Sequence, residues 1–169
     1  MKEQREGLTL REIVKAELYR PLSEGGYPVE GEQMDMQDLI VNNGRVYIAR
    51  RIAGGDATTG ASAMNYMAVG TVGTAPTLTD SLITGEVAGG RKALSSNSAE
   101  TDNIYTAVAT YGGAADSITS FQIQEAGIFN HASSGEGQMM QRVTFATVTL
   151  ADSDLLKITL QTNVGSNTI

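Results

Sequence analysis

The stretch VGTVGTAPT contains the first residues whose type and spacing could do chemistry. Gly70 and Gly73 follow an apolar run, where a glycine-rich loop could cradle a phosphate. The stretch lacks the Gly-Lys-Ser/Thr ending that binds phosphate and magnesium, and no third glycine or βαβ pattern of a dinucleotide site follows. We therefore expect a structural loop. Gly70 and Gly73 would adopt backbone geometry closed to other residues, and Pro76 would lead into a short helical turn across an end of the fold.

Two pairs of carboxylates could in principle act as general acid and base. Asp152 and Asp154 flank a turn, and Asp80 lies near Glu86 in the sequence. A glycosidase would need two carboxyl groups that converge across a cleft. Aspartates in turns more commonly accept hydrogen bonds from nearby backbone groups, so we expect structural roles for these residues.

This chain has few residues that could bind a metal or act as a nucleophile. There is no cysteine, and His131 is the single histidine. The loop AGGDATTG lacks the regular aspartate spacing of a calcium site, and no nucleophile-elbow motif accompanies the serines and threonines. The sequence predicts a protein that is not an enzyme and that has no catalytic residue, cofactor or metal site.

The composition and net charge narrow the classes of partner that this chain could bind. The 169 residues suit one domain with an appendage, and the net charge of −7 argues against nucleic acid, whose binding requires neutralisation of phosphates. No apolar run approaches the roughly 18 residues of a membrane span, and the start MKEQREG lacks the apolar centre of a secretory signal. We expect a soluble chain whose partner is protein.

The first predicted element that could position the candidate residues is a helix in TLREIVKAELYRP. Thr9 and Glu12 have capping-box spacing, apolar residues recur at helical spacing, and Pro21 would end the helix. A helix of about three turns is marginal alone, so its apolar face must dock on its own domain or on a neighbouring subunit. The candidate partner-binding residues are Leu10, Ile13, Val14, Leu18, Tyr19 and Tyr27.

The segment PLSEGGYPVEGEQ has prolines and glycines and little to bury, so we expect an extended tether. The predicted organisation is an N-terminal arm over residues 1–44, with the helix and tether, and a β-domain over residues 45–169.

From residue 45 onwards, apolar residues recur at every second position, as they do in a strand. Strands are predicted in RVYIARRI, MNYMAVG, IYTAVATY, SITSFQIQEAGIF, QMMQRVTFATVTL and DLLKITLQTNV, with one helical turn in TLTDSLI capped by Thr77 or Thr79. The last two strands should form an antiparallel hairpin. Six strands without helical crossovers predict a mainly β fold, an antiparallel two-sheet sandwich of jelly-roll or Greek-key type.

Three motifs carry a resemblance to a known group of proteins. MNYMAVGTVGTAPTLTDSLITGEV, QIQEAGIFN and GQMMQRVTFATVTLADSDLLKITLQTNV follow one another over residues 64–164. The chain thereby resembles tailed-bacteriophage virion proteins with an AVGTGTTAP-like loop, a TDTALE-like turn, an EAGLFN-like segment and an ARVTF hairpin. Val72 and Gly85-Glu86 depart from that pattern, and residues 1–44 lie outside it.

The resemblance implies a structural protein of the virion, assembled in the host cytoplasm. We expect a capsid cement or decoration protein, a trimer whose N-terminal arm clamps neighbouring major capsid subunits. Two alternatives stay open: a tail, baseplate or fibre-attachment component, and a carbohydrate-binding β-sandwich module.

Overall fold

The computed structural model describes residues 9–28, 30–33, 36–52, 62–99, 104–112, 118 and 121–165. The described residues form ten strands and one short helix in two antiparallel sheets, so the predicted mainly β, two-sheet fold is confirmed. The elements are β1 (Thr9–Tyr19), β2 (Glu32–Gln33), β3 (Met36–Ile40), α1 (Asn42–Ile52), β4 (Tyr66–Gly70), β5 (Lys92–Ala93), β6 (Ser96–Ala99), β7 (Ile104–Gly112), β8 (Gln122–Phe129), β9 (Met139–Thr149) and β10 (Leu155–Gly165).

Each sheet has five strands. Sheet A has the order β2-β1-β10-β7-β6, and sheet B has the order β3-β9-β8-β4-β5. The main core lies between the sheets and includes Leu156, Ile158 and Leu160 of β10, which are fully buried on the face that their alternation predicts. Tyr111 of β7 links the sheets, because its hydroxyl donates to the carbonyl oxygen of Met67 on β4 at 2.8 Å.

The predicted helix over residues 9–20 is wrong, because this segment is strand β1. It pairs with β10 over its whole length, from Thr9 opposite Gly165 to Tyr19 opposite Leu155. Apolar residues in this segment satisfy the periods of both a helix and a strand, since Ala16 and Leu18 also alternate and are buried. The long ladder with β10 decides for the strand, because pairing and burial override a weak local preference.

The predicted strand RVYIARRI is also wrong, because it lies in helix α1. Gly44, Tyr47 and Ile48 recur at helical spacing on the side that packs against the protein, and Arg45 and Val46 are exposed. Gly44 approaches β9 so closely that a Cβ there would overlap the carbonyl oxygen of Met140. The glycine therefore marks where the helix meets sheet B.

The predicted hairpin of β9 and β10 is wrong in pairing, although both strands exist. β9 belongs to sheet B and β10 to sheet A, so the turn between them crosses from one sheet to the other.

The register of β8 against β9 shifts between Ile123 and Glu125. Strict alternation would place Phe145 and Val148 on opposite faces of β9. Because of the register shift, both face the main core.

The division between an arm and a β-domain at residue 44 does not match the described structure. β1 is an inner strand of sheet A, and β3 forms an edge of sheet B. The segment after β1 carries a turn in which the amide of Gly25 donates to the carbonyl oxygen of Leu22, and the amide of Leu22 donates to the carbonyl oxygen of Gly26. Strands β1, β2 and β3 therefore complete the sandwich instead of extending from it.

Candidate functional site: a loop held on the outer face of sheet B

Residues 71–85 form an Ω-loop between β4 and the bridge that pairs Gly70 with Glu86. Its neck is closed by the amide of Thr71, which donates to the carbonyl oxygen of Gly85 at 3.0 Å. The loop runs over the outer face of sheet B, and the carbonyl oxygen of Leu78 accepts from the amide of Asn42 at 2.9 Å. The predicted turn across an end of the fold is therefore a loop across a sheet face.

Glu125 of β8 ties the neck of the Ω-loop together. Its carboxylate is fully buried, and Oε1 accepts from the amides of Val72 at 3.3 Å and Gly85 at 3.1 Å. These two amides lie on the two sides of the neck, so one oxygen atom holds both.

Arg142 of β9 neutralises the same carboxylate. Its Nε donates to Oε2 of Glu125 at 2.8 Å, and its Nη2 lies 2.7 Å from that oxygen as an ion pair without hydrogen-bond geometry. Nη1 donates to Oδ2 of Asp80, at the far side of the loop, at 2.7 Å. Burial alone would lower the pKa of Arg142, but its bonds to Glu125 and Asp80 raise it, so the guanidinium stays charged.

Asp80 also shapes the tip of the loop. Its carboxylate accepts from the amide of Thr77 at 2.9 Å and from the Thr77 hydroxyl at 2.6 Å. Burial alone would raise the pKa of Asp80, but these bonds and the charge of Arg142 hold the pKa below its ordinary value. The predicted helical turn at TLTDSLI is a hydrogen-bonded turn at Leu78 and Thr79, and not a helix.

Both glycines of the neck lie close to neighbouring side chains. A Cβ at Gly70 would lie 2.5 Å from both Oε1 of Glu125 and Cγ2 of Ile83, and a Cβ at Gly73 would lie 2.6 Å from Oε1 of Gln124. Neither glycine is among those with positive φ. The special backbone geometry predicted for Gly70 and Gly73 is therefore wrong, since close packing and not a positive φ favours glycine there. Pro76 lies between the neck and the Asp80 turn.

A second, small core lies beneath the loop. Ile83 packs there with Val41, Ala68, Phe129 and Met139, all buried on the face of sheet B that points away from sheet A. An apolar cluster and an ion cluster therefore both hold the Ω-loop in place.

A second buried ion pair fixes the neighbouring turn. Arg91 binds Glu86 through Nε to Oε1 at 2.9 Å and Nη2 to Oε2 at 2.8 Å. Its Nη1 donates to the carbonyl oxygens of His131, Ser133 and Glu136 in the β8–β9 connection. The guanidinium also stacks 3.8 Å from the centre of the Phe129 ring.

Three of the four candidate carboxylates have structural roles. Asp80 and Glu86 face separate arginines, and Asp154 accepts from the amide of Ala151 at 3.1 Å, as expected for a turn aspartate. The described part of the chain holds no group of three or more His, Cys, Asp or Glu side chains placed to bind a metal. Among the same residues, no helix is long and apolar enough to cross a membrane.

The predicted partner-binding residues do not form one face. Leu18 lies in the main core, and Leu10, Ile13 and Val14 occupy strand positions opposite Val164, Gln161 and Leu160, with side chains outside the described part. Tyr19 donates to Oε1 of Glu17 at 3.1 Å. Tyr27 is 40% exposed, and its hydroxyl donates to the carbonyl oxygen of Ser153.

A cavity of about 220 Å³ lies beside α1, with Tyr47, Met64 and Met140 among its walls. Its polar lining groups already have partners: the Tyr105 hydroxyl donates to the carbonyl oxygen of Met64 at 2.7 Å, and Thr162 donates to Gln141 at 3.3 Å. The cavity offers mainly apolar surface and is smaller than most ligand pockets.

Comparisons with protein-family models, with curated proteins and with solved structures found no match to this chain.

The ion cluster is the feature that the sequence analysis missed. Glu125 and Arg142 are each the only charged residue of their strand, and such a charge is rarely buried without an opposite partner. That signal was available, but their pairing depends on β8 and β9 being neighbours in sheet B.

Proposed function

We propose that this chain is a non-enzymatic structural component of a tailed-bacteriophage virion, a cement protein that decorates the capsid. The observation that supports the proposal is the meeting of three motifs in space. Asp80 comes from TLTDSL, Glu125 from QIQEAGIFN and Arg142 from QRVTF, and the three side chains form one ion cluster. Each motif of the resemblance thus contributes one charge to it.

This convergence gives the order of the motifs a physical reason. The loop motif covers sheet B, and the other two motifs supply the charges that hold it there. Because a buried charge is costly without its partner, a chain that keeps one of these motifs needs the others. A resemblance across all three motifs therefore supports a shared fold.

The use of the charged groups supports a non-enzymatic role. Glu125 is fully buried against Arg142, and Glu86 is buried against Arg91. Carboxylates buried in ion pairs in this way are poor candidates for general acid or base catalysis. The work of such a protein is then to present surfaces to partners.

The proposed mode of capsid binding differs from the clamping N-terminal helix that the sequence predicted. Because β1 lies inside sheet A, we assign contact with the major capsid protein to the exposed surface of the sandwich around Phe121, which is 37% exposed. The proposed protein is a homo-oligomer, with a trimer as the simplest form, and it contacts neither nucleic acid nor membrane.

Gold labelling of virions with an antibody against the folded chain tests this function. The particles come from the phage whose genome encodes the chain, and a deletion phage is the control. We expect label distributed over the heads and absent from the deletion particles. Label confined to the tail would contradict the cement role, and unlabelled virions that also lack the chain by mass spectrometry would contradict any virion role.

A further inference from the structure

Two exposed apolar patches lie at opposite ends of the sandwich. The first, called the turn patch, comprises Leu22 and Tyr27, which are 50% and 40% exposed in the connection between β1 and β2. The second, called the helix patch, comprises Val46 of α1 with Leu78 and Leu82 of the Ω-loop, which are 44%, 41% and 48% exposed.

Strand β9 separates the two patches. Helix α1 begins beside Met140, since the amide of Val41 donates to its carbonyl oxygen at 3.3 Å, and the loop residue Leu78 is bonded to Asn42 there. Tyr27 is bonded to Ser153, just beyond the other end of β9. Nine residue steps of a strand span about 30 Å, so one molecule cannot bring its two patches together.

Both patches are held by the fold. The Leu22 turn is closed by two backbone hydrogen bonds to Gly25 and Gly26, which have positive φ and no atom within 4 Å of an added Cβ. The Tyr27 hydroxyl is anchored on Ser153. On the other end, the Asp80 turn fixes the segment that carries Leu78. Such preorganised apolar side chains lower the entropic cost of docking.

The charges around the two patches are opposite. Around the turn patch, Glu24, Glu30 and Asp152 are exposed carboxylates, whereas Asp154 is buried and the charges of Glu32 and Arg20 offset each other in an ion pair. Helix α1 carries Arg45, Arg50 and Arg51 and no acidic residue, and Arg45 is exposed beside Val46. On the Ω-loop, Asp80 is already paired with Arg142.

We propose that the turn patch of one molecule docks on the helix patch of a second copy, head to tail. The charge complementarity of the two ends selects a second copy as the partner, because each molecule carries both halves of the contact. A contact between two different surfaces closes into a ring or continues as a stack. This inference rests on the homo-oligomer part of the proposed function and names its surfaces.

Sedimentation velocity of the full chain in low salt tests the contact. We expect the wild type to form oligomers that weaken as salt is raised. Tyr27→Asp, or Leu22→Asp if the first variant folds poorly, should weaken self-association by roughly tenfold or more, and so should Leu78→Asp. Thr110→Asp on the exposed β7 position of sheet A is the matched control and should assemble like the wild type.

Mixing the two variants tests the head-to-tail geometry. A Leu78→Asp chain keeps its turn patch and a Tyr27→Asp chain keeps its helix patch, so an equimolar mixture should form a 1:1 complex that neither forms alone. A monomeric wild type at all concentrations, unchanged assembly of both variants, or no complex in the mixture would overturn the inference. Virions without label would instead overturn the proposed function, while the purified chain could still assemble in this way.

Discussion

Glu125 and Arg142 meet on the outer face of sheet B, with Nε of the arginine 2.8 Å from Oε2 of the carboxylate and both side chains almost fully buried. They come from neighbouring strands and together hold both the neck and the tip of the Ω-loop. The fold of this loop therefore depends on an ion pair in the sheet beneath it.

Replacing Glu125 with Gln should destabilise the protein by about 3–5 kcal/mol, because it leaves the buried charge of Arg142 without its main partner. Urea unfolding followed by circular dichroism measures this change. Arg20→Gln is the control, since it breaks an exposed ion pair with Glu32 and should cost at most about 1 kcal/mol. Equal costs for the two variants would contradict the role assigned to Glu125.

Replacing Gly44 with Ala should destabilise the protein by about 1–3 kcal/mol, because the new methyl group overlaps the backbone of Met140. In an unhindered helix the same change would stabilise by about 1 kcal/mol, so the sign of the effect is diagnostic. Gly73→Ala is the comparison. It meets only the flexible end of Gln124 and should change the unfolding free energy by about 0.5 kcal/mol or less.

Proline at Ala16 should abolish cooperative folding, because it removes an amide and distorts β1 between β2 and β10. An arm that serves only to bind a partner would tolerate this change. Ser23→Pro is the control, since Ser23 occupies the second position of the exposed turn closed by Leu22 and Gly25, where proline is favoured. Thermal melts of the two variants separate a structural strand from an appended arm.

Stability should fall in acid as Glu17 and Asp80 gain protons. Burial alone would raise the pKa of Glu17, but bonds from Lys15 and Tyr19 and the charge of Lys157 hold the pKa below its ordinary value of 4.5. The pKa of Asp80 is likewise held below 3.8. The unfolded chain therefore binds more protons below these ordinary values, so their contribution is complete above about pH 5 and is lost as pH falls through the folded pKa values.

Urea midpoints at a series of pH values from 7 to 3 check this dependence. Asp80→Asn should be less stable at pH 7 and should lose less stability on acidification than the wild type. Parallel curves for the two proteins would show that Asp80 does not contribute to the acid response.

The sequence predicted the strands with clear alternation and missed the elements whose pattern is ambiguous. β10 and β7 were located because their buried residues alternate strictly. The sequence predicted a helix where β1 lies and a strand where α1 lies, because short apolar patterns fit both the helical and the strand period. Only the ladder with β10 and the contact of Gly44 with Met140 distinguish the two elements.

Pairing of strands and pairing of charges were harder to predict for the same reason. β9 and β10 follow each other in sequence, yet they lie in different sheets, and no local signal marks that crossing. The loop at Gly70 and Gly73 is held by Glu125, which lies more than fifty residues away in the sequence. Long-range contacts of this kind are fixed by topology and not by local sequence.

The ladder between β1 and β10 has a consequence for synthesis. Residues 9–19 leave the ribosome well over a hundred residues before their long partner strand, which ends at residue 165. Sheet A therefore cannot close until β10 has been translated, and until then β7 also lacks its inner neighbour. A product interrupted before residue 155 leaves both strands with an unpaired edge, which makes it a substrate for chaperones and proteases.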